Sequence, residues 1–268
     1  MIIKRAFFDT SSISQLVKTF SDKEQEEFSY KYNLSVVIGQ HVSYEICKIF
    51  LDPDNSEHGK KLIRGIQRLS PHYTCGTTEL VTREISSYTT PTIDEMLPYL
   101  RKQLQECFQD LINSNTPNKT IYIKNINTRE NNFNNYLEVI KNLELHAVGD
   151  TLDQFICNIR KKPKIVRNML QKLVNNINES RFKSVLASPH QYIATNLLIY
   201  CNLYHHFHSR DLGIKTKANS TGDHRNIIES SYCSYFVSDD KQQRKFAKKY
   251  HTSIKVLTLD ELIIERRK

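Results

Sequence analysis

Glycine is scarce, with 7 in 268 residues, and neither a GxGxxG run nor a Walker A sequence occurs. Dinucleotide and P-loop sites use glycines to bring backbone N–H groups against phosphate, so the usual dehydrogenase and P-loop ATPase loops are excluded. No apolar run approaches the roughly 20 residues that cross a bilayer, and the first residues lack the apolar core of a secretory signal. A cytoplasmic protein with no membrane partner is the expectation. The six cysteines (Cys47, Cys75, Cys107, Cys157, Cys201, Cys233) are scattered, with no CxxC and no Cys/His pair at zinc-finger spacing. That pattern predicts reduced, mainly buried thiols. Acidic residues are the minority charge, 29 against 38 basic, for a formal +9. Such a field attracts polyanions, with nucleic acid the first partner expected and a membrane surface the second.

What is present has a β-α rhythm at both ends. Residues 2–8 predict a strand, and Ser11 or Ser12 is placed to cap a helix through Ile13, Leu16, Val17 and Phe20. Leu34–Ile38 predicts a second strand, followed by a helix carrying Val42, Glu45, Ile46, Ile49 and Phe50 that Asp52-Pro53-Asp54-Asn55 breaks. Tyr73–Thr78 is a third candidate strand, leading into Leu80, Val81 and Glu84. From about residue 92 to 210 the pattern is helical, with segments near 93–113, 133–160, 164–178 and 189–209. Ile121–Lys124 reads equally as a short strand or an extended loop. The rhythm returns with a helix through Ile227, Ile228 and Tyr232, a strand over Tyr235–Ser238, a helix over 241–250, a strand over 254–257 and a last helix from Leu259. The expected architecture is therefore α/β: a discontinuous domain of residues 1–90 and 211–268 around a parallel sheet, with a helical insertion over 91–210.

Two strand ends carry acids: Phe7-Phe8-Asp9-Thr10-Ser11 and Tyr235-Phe236-Val237-Ser238-Asp239-Asp240. In open parallel sheets, ligands bind beyond the carboxyl ends of the strands where strand order reverses. If these strands are neighbours, Asp9 and Asp239 meet there. Two close carboxylates resist joint ionisation unless a cation neutralises them, which points to Mg²⁺ or Mn²⁺ and to chemistry on phosphate. Taken with Val36-Val37-Ile38-Gly39-Gln40-His41-Val42-Ser43-Tyr44-Glu45 and Gly222-Asp223-His224-Arg225-Asn226, the set resembles the PIN-domain family of metal-dependent ribonucleases. The resemblance covers about half the chain, in two parts. It implies a Rossmann-like sheet of the PIN type, and metal-binding and catalytic acids at Asp9, Glu45, Asp223 and Asp239, with Asp240 auxiliary. Thr10, Ser11 and Ser238 would orient them. We expect Asp9 and Asp239 to be inner ligands, with Asp223 and Glu45 acting through water or on the nucleophile. Glu84 competes with Glu45 for the second acid, and Glu45 is preferred because it follows the clearer strand.

The expected function is hydrolysis of RNA phosphodiester bonds by a metal-activated water, with Arg244 and Lys245 near the scissile phosphate. A toxin or defence nuclease controlled by an antitoxin or regulatory protein is one role the resemblance implies, and a homodimer is expected by the same analogy. Two rivals stand beside it: a nuclease acting on single-stranded DNA, and a silent module that binds RNA or protein. Plainer readings apply elsewhere. Asp240 reads equally as a helix cap, and Asp260 and Glu261 as favourable charges at a helix start. His205-His206-x-His208 reads as a solvated or C-terminal-turn cluster rather than a metal site, and Arg160-Lys161-Lys162-Pro163-Lys164 as a solvated loop.

Overall fold

A computed structural model describes residues 3–86, 151–208 and 218–267, together with 106, 108–113, 124, 127–128, 131–132, 134–136 and 138. Two compact units emerge. The first draws on Met1–Gly76, Thr92–Ile126 and Glu229–Lys268, and the second on Thr77–Pro91 and Asn127–Ile228.

The first unit is an α/β layer structure. In chain order it contains β1 (Lys4–Phe8), α1 (Thr10–Thr19), α2 (Asp22–Lys31), β2 (Leu34–Ile38), α3 (Gln40–Leu51), α4 (Ser56–Leu69) and β3 (His72–Tyr73). After the second unit come β4 (Tyr235–Val237), α11 (Lys241–Tyr250), β5 (Lys255–Leu257) and α12 (Leu259–Arg267). The five strands are all parallel, in the order β3-β2-β1-β4-β5. Residue Ala6 pairs with Val36 on one side of β1, and Phe8 with Val237 on the other.

The central strands are apolar and buried over Ala6–Phe8, Val36–Ile38 and Tyr235–Val237, as parallel sheets covered on both faces require. Ala6, Phe7, Phe8, Val37, Phe236 and Val237 are wholly buried. Successive side chains of β1 serve opposite faces. Phe7 stacks on Phe236 with ring centroids 5.8 Å apart, and Phe8 meets Phe28 of α2 edge-on at 6.0 Å. Phe28 in turn packs against Phe20 and Tyr32. β1 lies at the centre of the sheet, paired on both sides.

Several local expectations are corrected. The cap of α1 is Asp9 rather than Ser11 or Ser12: its backbone is still extended, and its carboxylate accepts from the Ser12 N–H. The third strand is only His72–Tyr73, because the chain turns into a helix at Thr77. Helices α2 and α4 had no counterpart in the periodicity reading. α2 buries only Gln25 and Phe28 and is set by a Ser21/Glu24 capping box, so its signal lies in the cap. α4 carries a clear stripe of Leu62, Ile63, Ile66 and Leu69. The Ile121–Lys124 connection lies, apart from residue 124, outside the described residues.

The second unit is helical: α5 (Thr77–Ser86), α6 (Leu152–Arg160), α7 (Pro163–Gln171), α8 (Glu179–Ala187), α9 (Ile193–His206) and α10 (Ala218–Glu229), the last residue of which belongs to the first unit. α8 falls between two of the expected helical segments, 164–178 and 189–209. α9 buries residues on all sides, including Leu197, Leu198, Ile199 and Leu203, as the central helix of a bundle does. Among the described cysteines, Cys47, Cys75, Cys201 and Cys233 are buried free thiols and Cys157 is exposed. No helix among the described residues is long and apolar enough to cross a membrane.

Candidate acidic site at the switch point

Strands β1, β2 and β3 are added on one side of the sheet, and the chain then returns to the opposite side of β1 as β4. The order reverses between β1 and β4, which is where α/β folds bind ligands. Asp9 follows β1 directly and Asp239 lies two residues beyond β4. The two strand ends are tied together: the Asp9 N–H donates to the Val237 carbonyl at 3.1 Å, and the Ser12 hydroxyl lies 2.9 Å from the Asp9 carbonyl and 3.0 Å from that of Val237.

Asp9 is 3% exposed. Its Oδ1 accepts from the Ser12 N–H at 2.8 Å and its Oδ2 from the Ser238 hydroxyl at 2.7 Å, while the Ser11 hydroxyl lies 2.9 Å from both oxygens. Burial strips water from this carboxyl and pushes its pKa up to about 6, against the lowering effect of those donors. Ser11 also accepts from the Asp239 N–H at 2.9 Å, so one hydroxyl touches both acid-bearing segments.

Glu45 sits one turn into α3. Its Oε2 accepts from the Thr10 hydroxyl, and its Oε1 lies 3.4 Å from His41 Nε2. Thr10, the residue after Asp9, thus ties the start of α1 to Glu45. The start of α3 is held by a contact that sequence reading missed. Gly39 caps α3 without a side chain, and buried Glu229 fills that role from the far end of α10, its Oε2 accepting from the His41 N–H at 3.0 Å. A Cβ at Gly39 would stand 2.2 Å from Glu229 Oε2 and 2.8 Å from the Phe7 ring. Glycine is required there for space, since its backbone is extended. Nothing in local spacing marks Glu229, and the glycine after β2 is the one trace of it in sequence.

Asp239 is exposed, and its carboxylate turns toward α12. Partial desolvation raises its pKa; Arg244 and the Leu259 N–H lower it, while Asp260 and Glu261 raise it. Asp240 caps α11, accepting from the Gln243 N–H at 2.8 Å. Arg244 donates to the Ser238 carbonyl at 2.8 Å, and Lys245 is exposed. Glu261 and Thr258 form reciprocal bonds at the start of α12, so Glu261 completes a helix terminus.

The second unit holds the remaining candidates. Asp223 lies half-buried on α10. Glu84 is 1% exposed, and its two oxygens accept from the Ala194 and Thr195 N–H groups at 3.0 and 2.7 Å. It is the cap of α9. His205 and His206 are buried, which corrects the solvated reading: His206 stacks on Phe155 and His205 Nε2 lies 2.7 Å from His224 Nδ1. Burial and the neighbouring His205 and His208 hold the His224 imidazole well below its ordinary pKa. In the basic run, Arg160 is structural, bonded to Asn196 Oδ1 at 2.7 Å and placed over the Tyr200 ring, whereas Lys161, Lys162 and Lys164 are exposed.

Among the described residues, no three His, Cys, Asp or Glu side chains converge on one metal position. Asp9 and Asp239 lie at the adjoining ends of β1 and β4, and Glu45 reaches the start of α1 through Thr10. Comparison with protein-family models, with curated proteins and with solved structures finds no match in any of the three.

Proposed function

We propose that this chain is a PIN-like, Mg²⁺- or Mn²⁺-dependent endoribonuclease whose site lies at the β1/β4 switch point. The observation that carries the reading is the buried Asp9 carboxyl, fixed by Ser11, Ser12 and Ser238 at the point where strand order reverses. The donor set suits a hard divalent cation, which takes oxygen ligands and usually one or two carboxylates. Asp9 and Asp239 both have pKa values raised by their surroundings. A cation beside them reverses that effect and favours the ionised form.

Asp9 and Asp239 would hold the ion, with Glu45 beside them. Bound there, the metal supplies an acidified water and neutralises charge on a phosphate. The protein's own part is positional. Ser11 spans Asp9 and the Asp239 backbone, and Thr10 steadies Glu45. Arg244, anchored on the Ser238 carbonyl, brings a positive charge to the same strand end. Glu45 is the better second acid because both oxygens of Glu84 are committed to α9.

A second reading has its own support. Asp9 and Asp240 each complete a helix N-cap, so the acids also suit a module that binds RNA without cutting it. Cleavage of labelled single-stranded RNA and matched DNA, by wild type and by an Asp9→Asn/Asp239→Asn variant, with Mn²⁺ or with EDTA, separates the two. The expected result is RNA cleavage that needs both the metal and the acids. Equal cleavage by the double variant, or none by the wild type under any metal, would overturn the nuclease.

A further inference from the structure

Helix α11 has the sequence KQQRKFAKKY, with five basic residues and no acid, and it begins immediately after Asp239 and Asp240. At about 100° per residue, Lys241, Lys245 and Lys248 fall within about 60° of one another. All three are exposed, and no carboxylate among the described residues pairs with them. Lys249, also exposed, lies beside this stripe with its Nζ 5.1 Å from the Tyr250 ring centroid. Beyond it come Phe246 and Tyr250, half-buried and packed together with centroids 4.6 Å apart. Gln243 and Ala247 form the buried side. On the opposite flank Arg244 reaches back to the Ser238 carbonyl at the strand end.

Across the helix surface the order is therefore arginine, lysine stripe, lysine, aromatic pair. The stripe leads away from the switch point for about 10 Å, given a rise of about 1.5 Å per residue. Duplex binders read base edges in a groove, whereas single-strand binders pair a cationic track for the backbone with an aromatic surface for unstacked bases. We propose that this face of α11 is the track that holds single-stranded RNA beside the acidic site, with Lys241, Lys245 and Lys248 on successive phosphates and Phe246 against a base. The choice of RNA rests on the ribonuclease reading above; the single-strand mode rests on α11 alone.

The test is equilibrium binding of a labelled, unstructured RNA in EDTA across a salt series, so that no cleavage intervenes. Wild type is expected to bind with an affinity that falls steeply with salt. For single strands each neutralised phosphate contributes about 0.7 to the slope of log affinity against log salt. The Lys241→Gln/Lys245→Gln/Lys248→Gln variant, changed only at exposed positions, is expected to lose about 2 from that slope. Phe246→Leu, which keeps an apolar group against Tyr250, is expected to weaken binding at least about fivefold with the slope unchanged. An unchanged slope in the triple variant overturns the track, as does a wild type that binds duplex more tightly than single strand. Cleavage is read separately: a triple variant that binds poorly, alongside a wild type that binds but never cuts with Mn²⁺, retains the track and removes the nuclease.

Discussion

Asp9 carries three tasks in one carboxyl: it caps α1, it is bridged through Ser11 to the Asp239 backbone, and it sits desolvated at the switch point. The tasks conflict in the metal-free protein. A carboxyl whose folded pKa lies above its unfolded value binds its proton more tightly when folded. Its stabilising contribution is therefore complete below the unfolded value of about 3.8 and lost as pH rises through about 6. The difference is on the order of 3 kcal/mol. Asn caps a helix as well as Asp does and carries no charge. Asp9→Asn in EDTA is accordingly expected to melt above wild type at about pH 8, and the gap to shrink toward about pH 5. Millimolar Mn²⁺ should raise the wild-type transition, as any ligand bound only by the folded state must, and leave the variant unmoved. Thermal melting at both pH values with and without Mn²⁺ checks this, and a variant less stable than wild type at every pH contradicts it.

At the scale of elements, helix termini explain where the buried acids go. Asp9 serves α1, Glu229 serves α3 and Glu84 serves α9. Glu84→Gln keeps one acceptor oxygen and turns an amide toward the other N–H, leaving a buried donor unmet at a cost of about 1–3 kcal/mol. Denaturant unfolding should show that loss, while metal-dependent cleavage per folded molecule stays at the wild-type level. Glu45→Gln should do the reverse: cleavage falls at least tenfold, with stability within about 0.5 kcal/mol of wild type. Full activity in Glu45→Gln with loss in Glu84→Gln would exchange the two assignments. Both acids stand on a helix after a strand, so local pattern alone leaves them close. Only the position of the α9 N-terminus, far away in sequence, tells them apart.

For the molecule as a whole, the excess of 38 basic over 29 acidic residues sets a long-range field. Such a field accelerates encounter with a polyanion and is screened by salt, because the Debye length shortens from about 30 Å at 0.01 M to about 8 Å at 0.15 M. Stopped-flow association with single-stranded RNA should slow by at least tenfold between those salt concentrations, whatever the RNA sequence, since backbone charge and stacking are tolerant of base identity. A salt-independent rate would mean that net charge does not guide the encounter. The division into two units also belongs to this scale, because α5 and most of α10 join the helical unit, a matter of long-range contact rather than local sequence.

The positions of β1, β2 and β4 are legible in the amino-acid sequence, since central parallel strands are buried on both faces and show as short apolar runs. So is an acid at the end of two of them. The neighbouring arrangement of β1 and β4 and the burial of His205 and His206 belong to the tertiary structure alone. So does the pairing of Glu229 with the start of α3. Each depends on residues brought together across large separations in the chain, and such contacts leave no periodic trace because the folded core, not the local backbone, chooses them.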